Sequence, residues 1–281
     1  MNYSEEARGF ACKGEALIGI LARPARATDV GIVIVVGGPQ TRVGSHRQFV
    51  LLSRALAAAG YSTLRFDYRG MGDSTGTQRD FEAVSPDIGA AVDTLCAACP
   101  SVTKVVLWGL CDAAAASLLY LDETHDPRIA GLCLLNPWVR SETTLAKTQV
   151  KHYYGQRLLQ GEFWLKLLSG RLNIVEAIVE LVRKIGLASH KAGSEPRPGF
   201  QDRMARAWQG FAGRILLILS GDDFTAKEFL EYAAGAASWH GLLERANVSR
   251  HDVASADHTF SSREWRDTVQ NACLDWLERY D

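Results

Sequence analysis

Two kinds of apolar pattern alternate along the chain. A continuous apolar run at Gly31 to Val36 reads as a strand buried on both faces, and Tyr61 to Phe66, Lys104 to Trp108, Ile129 to Leu135 and Ile215 to Leu219 read as further strands. Between them, Ser45 to Ala59, Phe81 to Ala98, Asp112 to Leu121, Thr225 to Leu243 and Ser262 to Tyr280 carry apolar residues at helical spacing. Gly9 to Cys12 and Ala16 to Ala22 predict an opening hairpin around Lys13-Gly14, and Val248 to Val253 a last strand. Strand and helix in turn predict an α/β fold with a mostly parallel, doubly wound sheet covered on both faces.

The rhythm breaks between Trp138 and Gly213. That interval is far longer than an ordinary connection. Gly161 to Ser169 and Asn173 to Ile185 are apolar at helical spacing, and Ala192 to Gly199 reads as a Pro/Gly loop. The expected organisation is one core domain formed by residues 1–137 and 214–281, with residues 138–213 inserted as a helical cap. Basic residues outnumber acidic ones in the cap, which suits an anionic substrate or simply a solvated helical face.

The most informative segment is Val105-Val106-Leu107-Trp108-Gly109-Leu110-Cys111-Asp112-Ala113-Ala114. A β-branched strand reaches a Gly, presents a Cys two residues later and enters an Ala-rich helix. This is the layout of a nucleophile elbow, with Cys in the usual Ser position and Ala in place of the second Gly. The tight turn demands small residues two before and two after the nucleophile, and Gly109 and Ala113 meet that demand. The helix N-terminus favours a thiolate at Cys111 and later an oxyanion.

Such a nucleophile needs a carboxylate and then a base further along the chain. Ser220-Gly221-Asp222-Asp223-Phe224 follows one late strand, and Ala256-Asp257-His258-Thr259-Phe260 follows the last. His258 is the candidate base. Asp223 is favoured over Asp222 as its partner because the extra residue after Gly221 lets the loop turn, leaving Asp222 to cap the next helix or face solvent. Asp257 is expected to anchor the His loop. His46 lies near the glycine turn, whereas His125, His152, His190, His240 and His251 fall on other helix ends, loops or strands or in the cap.

Gly37-Gly38-Pro39-Gln40 follows the first buried strand, where a backbone N–H completes an oxyanion hole with the N–H after the nucleophile. Pro39 has no N–H, so Gln40 and Asp112 are the candidate donors. Gly38, Pro39, His46 and Trp138 are candidates to touch substrate. Asp67-Tyr68-Arg69-Gly70-Met71-Gly72-Asp73-Ser74 supplies a further glycine-rich turn.

Composition narrows the class. A formal net charge of -1 argues against a nucleic-acid binder. The chain has no apolar run near the roughly 20 residues of a membrane span, and its acidic start is unlike a signal peptide. A soluble, cytoplasmic protein is expected. Cys12, Cys96, Cys99, Cys111, Cys133 and Cys273 are scattered, so reduced thiols are expected rather than a disulfide frame. A single C-x-x-C, Cys96 to Cys99, is a weak zinc signal. The chemistry requires no metal or organic cofactor, and nothing in the sequence reads out an oligomeric state.

With elbow, glycine turn, D-x-R-G-x-G-x-S loop, acid and base in order, the chain resembles the α/β-hydrolase superfamily over nearly its whole length. Gly37-Gly38-Pro39-Gln40-Thr41-Arg42-Val43-Gly44-Ser45-His46-Arg47-Gln48-Phe49, Trp108-Gly109-Leu110-Cys111-Asp112-Ala113, Ser220-Gly221-Asp222-Asp223-Phe224-Thr225-Ala226 and Ala256-Asp257-His258-Thr259-Phe260 are similar to the first type of exosortase A system-associated hydrolase. That resemblance implies an α/β-hydrolase fold with Cys111, Asp223 and His258 as the triad, in a cytoplasmic hydrolase linked to bacterial exopolysaccharide systems. A thiolate nucleophile suits small-molecule esters, lactones and thioesters better than unactivated amides. The same acyl-enzyme would make an acyltransferase if water were excluded, and an inert Cys111 would leave a binding or scaffold protein.

Overall fold

The computed structural model describes residues 2–140 and 198–280. The chain divides into two compact units, one formed by Met1–Val139 with Gly199–Asp281 and the other by Arg140–Pro198. Nearly all of the second unit, including the helices expected at 161–169 and 173–185, lies outside the described residues.

Eight strands form one sheet in the order β1-β2-β4-β3-β5-β6-β7-β8. They are β1 (Tyr3–Cys12), β2 (Glu15–Pro24), β3 (Val30–Val35), β4 (Ser62–Phe66), β5 (Lys104–Leu110), β6 (Ile129–Leu135), β7 (Arg214–Ser220) and β8 (Val248–Val253). β1 and β2 pair antiparallel, β2 joins β4 antiparallel, and every pairing from β4 onward is parallel. This is the α/β-hydrolase architecture that the sequence led us to expect.

Six α-helices accompany the sheet among the described residues: α1 (Gln48–Ala58), α2 (Ser85–Ala98), α3 (Asp112–Thr124), α4 (Phe200–Gly210), α5 (Phe224–Gly235) and α6 (Arg263–Leu277). Successive strand residues point to opposite faces, so Val33, Val35, Leu107 and Leu134 meet α2 and α3 while Ile32, Ile34, Val106 and Leu216 meet α1 and α6. Each fully buried aliphatic side chain contributes about 1.5–3 kcal/mol. β3 and β4 are buried at every position. β8, at the edge, instead exposes Arg250, His251 and Asp252, charges that discourage pairing with another chain.

Several boundaries differ from those read in the sequence. The opening hairpin is longer, pairing Tyr3 with Pro24 through to Cys12 with Glu15. Its outer half alternates with solvated polar residues and leaves no continuous apolar run. The helix expected from Ser45 begins as a 3-10 turn, and positive φ at His46 (52°) and Arg47 (61°) delays α1 to Gln48. The helix expected from Thr225 to Leu243 stops at Gly235, and a second short turn covers Ala237–Trp239.

The boundary expected for the insertion also moves. Residues 199–213, assigned to the insertion by spacing alone, fold with the core, because α4 buries Met204 and Trp208 completely. Trp208, Phe229 and Trp239 form an aromatic trio with ring centroids 5.3 to 6.4 Å apart. Both indoles are satisfied: Trp208 Nε1 donates to Leu242 O at 3.0 Å and Trp239 Nε1 to Gln201 O at 3.2 Å. The long apolar gap before β7 hid a helix that belongs to the sheet's own cover.

Candidate active site

One residue separates β5 from α3, and it is Cys111. Its φ of 63° and ψ of -123° lie where a side chain is strained, a conformation costing about 1–3 kcal/mol that the surroundings must enforce. They do so through the backbone. Cys111 N donates to Leu135 O at 2.8 Å, and Cys111 O accepts from Ala114 N at 3.1 Å and Trp138 N at 3.2 Å. A Cβ at Gly109 would lie 2.6 Å from the carbonyl of Ala113, so the helix can start this close only over glycine. The thiol is half-buried at the positive end of α3.

The loop after β8 carries His258 to the same edge. His258 Nδ1 lies 2.8 Å from Asp223 Oδ2, and the rest of the ring meets the Cys111 side chain in a second hydrogen bond. The bond to Asp223, followed by that to Cys111, raises the imidazole from 6.5 to about 10 against the opposing effect of burial. Burial acts to raise the Asp223 carboxyl, but the His258 bond together with the N–H groups of Thr225 and Ala226 brings it below its ordinary value.

Asp223 is the N-cap of α5. It accepts Thr225 N at 3.1 Å on Oδ1 and Ala226 N at 3.2 Å on Oδ2. The capping role considered for Asp222 therefore belongs to Asp223, and Asp222 is exposed, with its N–H on Ala256 O at 3.0 Å. A helix cap fixes a carboxylate in one orientation, and here that orientation faces His258. Asp257 turns inward to its own loop, accepting Thr259 N at 3.1 Å, Ser261 N at 3.0 Å and the Ser261 hydroxyl.

Asn136 was not singled out by the sequence reading. With φ of 43° at the end of β6, it donates through Nδ2 to Ser220 Oγ and, at 3.2 Å, to His258 O, and accepts Ser220 N at 2.9 Å. It ties the His loop to the sheet. An Asn at a strand end before Pro, a residue tolerant of positive φ, was the available signal.

The glycine turn departs from expectation at Gln40. Its N–H donates to Gly37 O at 3.3 Å, and its Oε1 accepts Ser45 N and Gln48 Nε2 at 3.3 Å each. Gln40 braces the turn, so its N–H is not the free donor the sequence suggested. The N–H that faces the elbow is that of Gly38, 2.8 Å from Asp112 Oδ2. Pro39 and His46 are exposed, while Trp138 is half-buried beside the elbow.

The turn after β4 is a brace. Asp67, fully buried, accepts Arg42 N at 2.6 Å and pairs with the Arg42 guanidinium, which also reaches Asp73. Gly72, with φ of 53°, leaves room for that carboxylate. Arg69 and Asp87 form a buried bidentate pair, with Nε to Oδ1 at 3.0 Å and an Nη to Oδ2 at 2.7 Å. A separate cavity of about 360 Å³ lies between α1 and α6, lined by Leu52, Trp108, Leu135, Phe260 and Val269 among others. Cys111, Asp223 and His258 do not line it.

The fold is widely shared among solved structures. The Pyrococcus furiosus esterase Pf2001 superposes with a TM-score of 0.65 at 16% identity, covering 99% of this chain and 93% of that one. Est1E from Butyrivibrio proteoclasticus, solved with ferulic acid, gives a TM-score of 0.62 at 14% identity, covering 97% and 98%. An alpha-beta serine hydrolase homologue from Coxiella burnetii gives 0.57 at 15% identity, covering 95% and 96%. No curated protein matches the sequence significantly. The sequence profile of the family Hydrolase_4, described as serine aminopeptidase, S33, matches residues 29–184, more than half of the 281-residue chain. The chain therefore belongs to this family of α/β-hydrolases, with cysteine at the elbow position where the family's name speaks of serine.

Proposed function

We propose that the protein hydrolyses a small-molecule ester or thioester through an acyl-cysteine intermediate on Cys111, with His258 as acid and base and Asp223 holding the ring. The observation that carries this reading is the hydrogen-bonded series from Asp223 through His258 to a thiol on a strained strand-to-helix turn. Esterases among the structural relatives agree with it.

The cycle follows from the proton positions. The attacking species is the thiolate, the nucleophilic form of a thiol, and an imidazole raised to about 10 keeps its proton at neutral pH to balance that charge. The sulfur bonds to the carbonyl carbon and the carbonyl electron pair moves to oxygen, where the Asp112 N–H receives it. Collapse expels the alcohol or thiol, which takes the proton from His258. Acylated sulfur no longer carries charge, which removes one of the two groups raising the ring, and neutral His258 then takes a proton from water as it attacks the thioester. Free acid departs, the thiolate returns and His258 keeps the proton.

The link to exosortase and exopolysaccharide systems rests on the motif resemblance, and a reducing cytoplasm suits the six free thiols. p-Nitrophenyl esters and acyl thioesters of graded chain length, assayed on wild type and Cys111→Ala, test the reading. It predicts turnover to free acid that vanishes in the variant and a trapped acyl group on Cys111 by mass spectrometry. Turnover that survives Cys111→Ala rejects it.

A further inference from the structure

We infer that the Asp112 carboxylate stands, in the free enzyme, where a substrate's acyl oxygen must sit, and that it makes the site select against acyl groups bearing negative charge beside the reacting carbonyl. This deepens the acyl-cysteine reading and rests on it.

The turn after β3 has little else to offer an oxyanion. Pro39 has no N–H, Gln40 spends its own on Gly37 O, and Gly38 donates to Asp112 Oδ2 at 2.8 Å. One N–H makes one short, straight hydrogen bond. Asp112 is also the first residue of α3, and the N–H groups of Asp112 and Ala113 act with that of Gly38 to favour its charged form against burial. A single carboxylate thus takes the donor of the glycine turn and lies in the field of the N–H groups at the helix start, the pair that an acyl oxygen on Cys111 would need.

The seat for this carboxylate is built. A Cβ at Gly37 would overlap Asp112 Oδ1, so glycine there makes room for the side chain. Oδ1 is buried and has no partner meeting hydrogen-bond geometry among the described residues, which leaves the carboxylate held mainly through one oxygen and replaceable. The buried hydroxyl of Tyr68 also has no partner among the described residues, and the charge of Asp112 adds to burial in holding its proton. Burial opposes the charge on Asp112 and Asp80 adds to the opposition. With Asp223 on the far side of His258, the centre already holds two carboxylates. A neutral acyl oxygen replaces the Asp112 carboxylate without adding charge at the reacting carbon, whereas an anionic acyl group adds a third negative charge.

Alkylation of Cys111 reads this directly, because iodoacetamide and iodoacetate differ chiefly in charge. Rates are measured for wild type, Asp112→Asn and Asp112→Ser, each relative to free cysteine, with the labelled residue identified by mass spectrometry and melting temperature followed alongside. Wild type is expected to favour iodoacetamide, and both variants to lower that preference by about tenfold or more, the scale of one close like-charge contact. Both are also expected to raise kcat/KM on a neutral p-nitrophenyl ester through a lower KM. Asp112→Ser supplies the answer if Asp112→Asn fails to fold. An unchanged reagent preference overturns the inference, as does loss of turnover in Asp112→Ser that Asp112→Asn restores, since that pattern makes the carboxyl a strut. Cys111→Ala separates the two readings: if it retains turnover both fall, and if it is inactive while the preference is unmoved only this one does.

Discussion

The turns that follow β4 and β5 leave the same edge of the sheet, and both are built around glycine, yet they handle their polar side chains in opposite ways. Asp67 and Asp87, behind the first turn, are buried and bonded to arginine. Cys111, on the second, is half-buried and strained, and its side chain meets a residue that can change its proton. A closed set of charges holds shape. A half-buried group with a titratable neighbour is suited to chemistry. Glycine content alone does not tell the two apart, whereas what each loop leaves unsatisfied does.

The largest expected effect separates them in activity. Cys111→Ala should lower kcat by about 10⁴-fold or more, as loss of a nucleophile does, while the melting temperature stays close to wild type, because Ala keeps the Cβ and the same strained turn. Asp223→Asn should follow at about 10²–10⁴-fold, with His258 titrating at lower pH by NMR. A variant at either position that loses stability in proportion to activity would make the elbow another brace.

The first contrast was partly readable without coordinates. Small residues on both sides of Cys111 and the order of acid and base marked the elbow, because those constraints are local and repeat in any such turn. The sheet was legible for the same reason: continuous apolar runs such as Ile32 to Val36 can only be buried. What stayed hidden was mostly long-range. That Asn136 grips the His258 loop and that Trp208 ties α4 to Trp239 depend on residues about 30 to 120 positions apart, and that Gln40 turns its N–H back to Gly37 O depends on the path of the turn itself. No spacing rule reports which of two adjacent N–H groups faces the elbow.

On the brace, Asp87→Ala should remove a buried partner of Arg69 and destabilise the fold by about 3–5 kcal/mol, because a guanidinium is left without its carboxylate. Chemical denaturation measures it. Activity per folded molecule should stay close to wild type, the reverse of Cys111→Ala. A drop in kcat with stability intact would show that this turn reaches the chemistry after all.

The smallest effect is a difference in pH dependence. The folded-state pKa of His258 is raised from 6.5 to about 10, so the stability it contributes is fully present below 6.5 and drains away as pH rises toward 10. Asp223 has the opposite sign: its depressed pKa gives stability that is present above 3.8 and lost as pH falls through the depressed value. The pair therefore supports the fold best between about 3.8 and 6.5. The difference in melting temperature between wild type and His258→Gln should be largest there and shrink up to pH 10. The Arg69 and Asp87 pair carries a guanidinium that keeps its charge across this range, so the penalty for Asp87→Ala should stay level from pH 6.5 to 10. Cys111→Ala should pull the upper limit of the His258 window down, because the ring then has only Asp223 to hold its proton. That shift would model in a stable protein what acylation of the sulfur does in the proposed cycle, where His258 has to let go of its proton to become the base for water.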